Sequence, residues 1–340
     1  MSNNSIINSI VEKGQTYPEI TREKAKNGYR ITMQTTKIFL HACGYISADE
    51  LNNPDLDYTT ITRGIYRAFC DGKLSLNATK QDGVKNNTPI RVSTGLSGKL
   101  DTVFALTTIS LVNQFCLSRM LIKDLVCSKC YVPESLRIDG ILAFTQNMYI
   151  LTHFDLSKHA NWIPQLRADW AVKRIEKELF KARENGKIEI SDEEISNIIN
   201  KKPLCRFESM GDLACSLQAK NYLTIANANN DFDFALWTKN PAVLAFAIDT
   251  MGKPENLSTV LSMSRKNEMD KPEFIARYSK YFNHMFVVAD NEHVSDLYHM
   301  ENSYPCHCEH FSCIRCRHCY LHDNTVLDTA IEKLRDKKLK

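Results

Sequence analysis

The sequence predicts an α/β protein: a partial (β/α) barrel with parallel strands, a small helical N-terminal extension and a Cys-rich C-terminal metal-binding segment. Three observations carry this expectation. From about residue 90, short apolar runs rich in β-branched and aromatic residues alternate with amphipathic runs. That rhythm implies parallel strands joined by right-handed crossovers. The first 85 or so residues lack it and read as three short helices. Between Tyr304 and His322 stand five cysteines and four histidines among charged neighbours, a density that core packing does not produce. The divisions are residues 1–88 for the extension, 89–300 for the barrel, and 301–340 for the Cys-rich segment and a basic tail.

The bulk numbers exclude several classes. A chain of 340 residues can bury a full core. Lys and Arg number 43 against 40 Asp and Glu, a net charge of +3, so charge alone indicates no polyanion partner. The basic end, Lys333 to Lys340, reads as a solvated tail. The N-terminus has no basic-then-apolar leader. No apolar run reaches the roughly 18 residues of a membrane helix, and the longest, Ile141 to Phe154, is broken by Thr145, Gln146, Asn147 and His153. With twelve cysteines and no secretion signal, the expectation is reduced, metal-binding thiols in the cytoplasm and no membrane partner. Oligomeric state is left open.

In the extension, Pro18 to Lys24 opens a helix capped by Thr21 that continues to His41; Ser47 and Glu50 form a capping box for a second; Thr59 to Phe69 is a third. Asn77 to Thr88 is polar and reads as a linker. Strands are expected at Ile90–Val92, Thr108–Val112, Leu204–Glu208, Phe232–Thr238, Ser258–Met263 and Met285–Val288. Helices are expected at Ile138–Ser157, Pro164–Asn185, Asp192–Asn200, Ser216–Ala228, Pro241–Ala247 and Pro272–Asn283. That number of units suits a partial or open barrel better than an eight-unit one.

Ligands of parallel α/β folds bind at the carboxyl ends of strands, so polar strand ends are the first candidates. Arg206-Phe-Glu208-Ser209-Met-Gly211-Asp212 offers two carboxylates, a hydroxyl and a glycine that admits close approach, and helix capping by Ser209 or Asp212 is the alternative. Thr238, Lys239 and Asn240 follow at the next strand end, with Pro241 starting a helix. Ser262 begins a polar run at the one after. Glu208, Ser209, Gly211, Asp212, Thr238, Lys239, Asn240 and Ser262 are thus candidate cofactor-binding residues, and no catalytic residue is assigned. His153, His159, His284, His293 and His299 are scattered and read as structural or surface residues.

Metal ligation has two candidate groups. Cys127-x2-Cys130 gives one edge of a site that Cys116, eleven residues earlier, completes if the loop folds back. Cys306, Cys308, Cys313, Cys316 and Cys319 form the second. Thiolates this close repel unless a cation or a cluster neutralises them. The C-x2-C-x2-C run matches the first three ligands of a ferredoxin-type iron–sulfur cluster. Structural zinc is the alternative. Five thiols exceed the four a cluster needs, so one of Cys306 and Cys308 is spare.

Ser97-Gly-Lys99-Leu100, the Cys127–Cys130-Tyr131 group, the Arg206–Asp212 turn, Trp237–Pro241 and the C-terminal cysteines occur in an order that resembles the phage gene-product-88 family, over residues 95 to 322. The resemblance implies a phage-type protein of the host-cell cytoplasm. The order is also similar to radical S-adenosylmethionine enzymes. In those, a three-cysteine loop after the first strand holds a four-iron cluster, a Gly-Gly-Glu turn binds the methionine amine, and a Thr-Asn turn often follows. This implies Gly211-Asp212 at the amine-binding turn, Thr238-Lys239-Asn240 at the next strand end, one or two iron–sulfur clusters, and S-adenosylmethionine as a small-molecule partner. Of the usual C-x3-C-x2-C loop, the final C-x2-C-aromatic matches. The competing expectation is a zinc-stabilised, non-enzymatic binding protein with a nucleic-acid partner.

Overall fold

The structure is a computed structural model that describes residues 11–12, 15–16, 20, 23–25, 28–94, 100–130, 132, 137–299, 301–306, 312–322 and 327–333. Thr21, Ser97 to Lys99, Tyr131, Cys308 and the end of the basic tail lie outside them.

Seven strands form one sheet. They are β1 (Phe104–Leu106), β2 (Leu204–Phe207), β3 (Asp233–Thr238), β4 (Leu257–Lys266), β5 (His284–Ala289), β6 (Ser303–Pro305) and β7 (Asp328–Lys333). Every pairing is parallel and the spatial order is β6-β7-β5-β4-β3-β2-β1. The sheet is not closed, because β1 and β6 are its two edges. The expected barrel is therefore an open parallel sheet.

Winding explains which face each connection takes. From β2 to β5 each step moves one way along the sheet, so right-handed crossovers put the connecting helices on one face. Those are α8 (Ser216–Asn227), α9 (Pro241–Met251) and α10 (Pro272–Tyr278), which share a core with Phe207, Phe234, Leu261 and Val287. The step from β6 to β7 runs backwards, since β7 inserts between β5 and β6. A right-handed connection must then cross the opposite, inner face. That connection is the Cys-rich segment, and its Ile314 and Tyr320 pack on Val103, Leu204 and Ala235. A chain segment thus fills the face that a barrel would enclose.

The N-terminal region differs from its expected form. Glu23–Ala25 and Gly28–Arg30 pair as a hairpin, and α1 (Met33–Ala42) starts only at the Thr32 capping box. α2 (Ala48–Asn52) has the expected Ser47/Glu50 box, and α3 (Tyr58–Cys70) follows. α1 and α3 share a core with Ile141 and Met148 of α5 (Ile138–His153). The polar stretch 77–88 is docked rather than solvated: Asn86 Nδ2 donates to Ile163 O at 2.8 Å and Gln81 Nε2 to Ile90 O at 2.7 Å. The apolar run 103–112 forms β1 at its start and a 3-10 turn, Ser110–Val112, where a strand is expected. Ile90–Val92 forms no strand. No helix among the described residues is long and apolar enough to cross a membrane.

Candidate metal centre

After β1 the chain crosses the carboxyl edge of the sheet. Asn113 caps α4 (Gln114–Met120), accepting from Phe115 N at 3.0 Å and Cys116 N at 3.4 Å. Its Nδ2 donates to Asp212 O at 2.7 Å, so one side chain ties the helix carrying Cys116 to the turn after β2. Cys127 lies in a 3-10 turn, Val126–Lys129, and Cys130 ends it. A bridge between Leu125 and Arg265 pins that turn to the end of β4. The loop therefore folds back over the edge of the sheet. Burial pushes the Cys116 thiol far up, and the charges of Asp212, Glu208, Cys127 and Cys130 push it further. Burial also raises Cys127, opposed by Lys239, while Asp212 adds to the rise and Arg119 opposes it. Three sulfurs, two carboxylates and two cations thus lie within one another's fields.

The turn after β2 is built around a buried acid. Glu208 has a left-handed φ of 58° and is 3 % exposed. Its carboxylate accepts from Tyr222 OH, from Gln218 Nε2 at 2.6 Å and from Thr108 Oγ1 at 2.9 Å. Burial raises its pKa to about 8, although the Tyr222 and Thr108 hydrogen bonds oppose the rise. A Cβ on Gly211 would meet Glu208 Oε2 at 2.4 Å and Thr108 Oγ1 at 2.5 Å, so only glycine fits. Asp212 accepts from Thr238 Oγ1, from Leu213 N at 2.8 Å and from Lys239 N at 3.0 Å. Asn240 Nδ2 donates to Leu213 O at 2.9 Å. The side chains of Glu208, Asp212, Thr238 and Asn240 therefore brace the strand ends against each other.

The raised Glu208 pKa has a predictable sign. The folded state holds this proton more tightly than the unfolded chain, where a glutamate titrates near 4.3. The associated stability is complete below about 4.3 and is lost as pH rises through about 8. Glu208→Gln is expected to flatten that slope, because an amide does not titrate and its oxygen can still accept from Tyr222 and Gln218. Urea midpoints from pH 5 to 9 check this; parallel curves for both proteins would contradict it.

Two cations remain at the edge. Lys239 Nζ donates to Ser262 Oγ at 3.0 Å, and Arg119 Nη1 donates to Ser264 Oγ at 2.8 Å. Ser262 and Ser264 are two residues apart on β4 and so share its inner face. Sequence reasoning missed Arg119, while Ser264 lies in the polar run that Ser262 begins. The available signal was spacing: Arg119 stands three residues after Cys116, one turn along the same helix.

The second thiol group lies on the inner face. Cys306 follows β6, its N–H donating to Ile331 O at 2.8 Å. Cys313 and Cys316 sit on α12 (Ser312–Cys316), and Cys319 on the 3-10 turn His318–Tyr320. Burial raises Cys319 to about 12, and Cys313 adds to the rise. The Arg206 guanidinium lies 4.1 Å over the Trp237 ring, beside this group. Arg206 Nε, Trp237 Nε1 and Tyr320 OH are buried without a hydrogen-bond partner among the described residues. These orphaned donors border thiols, which accept N–H and O–H bonds best as thiolates. The donor set therefore suits an anionic metal–thiolate group.

A family model described as Gene product 88 matches residues 143–329. The match spans the Glu208–Asp212 and Thr238–Asn240 turns, Ser262 and the C-terminal cysteines. It starts after Cys130, so the Cys116–Cys130 loop precedes it, and it begins later than the 95 implied by the motif order. No curated protein and no solved structure matches the chain. With more than half of its length under that model, the chain belongs to the gene product 88 family.

Proposed function

We propose that the chain is an iron–sulfur protein of the radical S-adenosylmethionine-like kind, an enzyme of the phage-infected cytoplasm. In this reading Cys116, Cys127 and Cys130 hold one cluster. Cys306, Cys313, Cys316 and Cys319 hold a second metal group, with Cys308 in the same run. The observation that supports it is that Cys116 and Cys127 both lie within the field of Asp212 and of Cys130, with Lys239 beside Cys127, at the carboxyl edge. Two thiolates sharing a tetrahedral zinc stand about 3.8 Å apart, from Zn–S bonds of about 2.3 Å. Thiolates on separate irons stand wider. When bound, a cluster with one open iron site supplies a seat for the methionine amine and carboxylate and an electron for cleaving the cofactor. The chain supplies the surroundings. Lys239 and Arg119, steadied by Ser262 and Ser264, offer positive charge to an anionic end of the ligand. Glu208, Gly211 and Asp212 hold the strand ends in register beneath it.

The internal bonding of Glu208, Asp212, Thr238 and Asn240 favours a second reading, a metal-stapled binding protein. Anaerobic reconstitution separates the two. Bound iron and sulfide, brown colour and a spectral change on adding S-adenosylmethionine are expected. Cys130→Ala is expected to lose the first cluster while the C-terminal metal stays. Colourless protein holding zinc alone, or loss of all metal together in that variant, would overturn the proposal.

A further inference from the structure

A separate group of ligating atoms lies at the opposite, amino edge of the sheet. His284 opens β5 and Asp328 opens β7, and they are register partners in adjacent parallel strands. Both side chains therefore leave the same face at the same level. His318, on the turn of the backward crossover, reaches the same carboxylate. His284 Nδ1 is 2.5 Å from Asp328 Oδ1, and His318 Nε2 is 2.5 Å from Oδ2. The three ligating atoms all lie within 4.8 Å of one another.

The other nitrogen of His284 fixes the chemistry. Its Nε2 is 2.9 Å from Leu321 O, and a carbonyl can only accept. The single hydrogen of a neutral imidazole therefore sits on Nε2. Nδ1 then aims a lone pair at a carboxylate oxygen, in a side chain that is 0 % exposed. A second proton on the ring, pairing an imidazolium with the carboxylate, or a metal ion held by both groups relieves that repulsion. We propose that a zinc ion does so, bound by His284 Nδ1, His318 Nε2 and the Asp328 carboxylate. A carbonyl on the rear nitrogen is the usual support of a ligating histidine, fixing tautomer and ring orientation. Two imidazoles and a carboxylate make an N/O set that leaves one zinc position open. The His318 side chain is 31 % exposed, so water or a hard anionic ligand can reach that position. The site shares no ligand with the thiol groups and clamps the Cys-rich crossover to the sheet.

His318→Gln tests this, because an amide still donates to Asp328 but replaces the imidazole. Protein stripped with a chelator is reloaded with zinc and its metal counted. The wild type is expected to bind one equivalent more than His318→Gln or Asp328→Asn, with iron and sulfide unchanged. With cobalt as the probe, the component lost in the variants should show weak ligand-field bands and no intense thiolate charge-transfer band. Wild type and His318→Gln should melt together in chelator and separate on adding zinc. Equal zinc in all three proteins, or a lower melting temperature of the variant in chelator alone, would mean a hydrogen-bonded staple and overturn the site. Should the variants fail to fold, cobalt-loaded wild type decides: a spectrum with thiolate features alone rejects the proposal.

Discussion

Gly211→Ala is expected to destabilise the protein by about 3 kcal/mol and to disorganise the thiol loop above it. The added methyl would sit 2.4 Å from Glu208 Oε2, 2.5 Å from Thr108 Oγ1 and 3.1 Å from the Thr108 backbone carbon. None of these can move cheaply. Thr108 Oγ1 donates to Glu208, and Glu208 is also held by Tyr222 and Gln218, all buried. Making room breaks one or more of these bonds, each worth about 1 kcal/mol, on top of overpacking that costs about 1–3 kcal/mol. Thr108 also begins the loop that carries Cys116, so the strain propagates to the sulfurs. Urea unfolding should show a lower midpoint with an unchanged slope. Thr108→Ala in the same chain frees space, so the double variant should lose less than the sum of the single ones. Additive losses would mean that the contact is absent in solution.

Arg317→Ala is expected to cost about 3–5 kcal/mol and to reduce metal loading of the C-terminal thiols. Arg317 lies between Cys316 and His318, with a left-handed φ of 57°. Its side chain is 8 % exposed, and Nη2 donates to Asp233 Oδ2 at 2.7 Å and to Lys202 O at 2.7 Å. Removing the guanidinium leaves the Asp233 carboxylate, at the start of β3, poorly solvated and unpaired. Lysine is a poor replacement, because its compact ammonium is more strongly hydrated than a guanidinium and so costs more to bury. Arg317→Gly removes the backbone strain as well as the ion pair, and should be less harmful than alanine by the strain alone. Urea unfolding and metal analysis of the three variants check this order. A loss below about 1 kcal/mol for Arg317→Ala would indicate an exposed pair.

The central strands were legible because each is a bounded apolar run followed by a helix signal. β2 to β5 fall at Leu204, Asp233, Leu257 and His284, near their expected starts. β6 and β7 were hidden: Ser303–Pro305 is three residues, and Asp328–Lys333 carries three charges among its six. β1 was misplaced because residues 103–112 are apolar without a period, and tertiary pairing with β2 decides which three residues extend. The Lys24–His41 helix overran because Thr32, whose side chain caps the true start, was outweighed by Thr21. At the site, the strand-end motifs were visible but their division of labour was not. Whether Glu208 faces a ligand or the scaffold depends on Tyr222 and Gln218, which belong to the following helix. Asn113 and Arg119 were silent for the same reason: their partners lie 99 and 145 residues away.

The backward step from β6 to β7 has a temporal consequence. During synthesis, β5 and β6 emerge with a vacant lane between them, and both keep unpaired edges until Asp328–Lys333 arrives to fill it. That last strand slots into place only once the stretch preceding it has been laid across the inner surface. Laying down that stretch and final closure of the lane are therefore one event. A nascent chain halted before Asp328 should linger as a split sheet, exposed to edge-to-edge association.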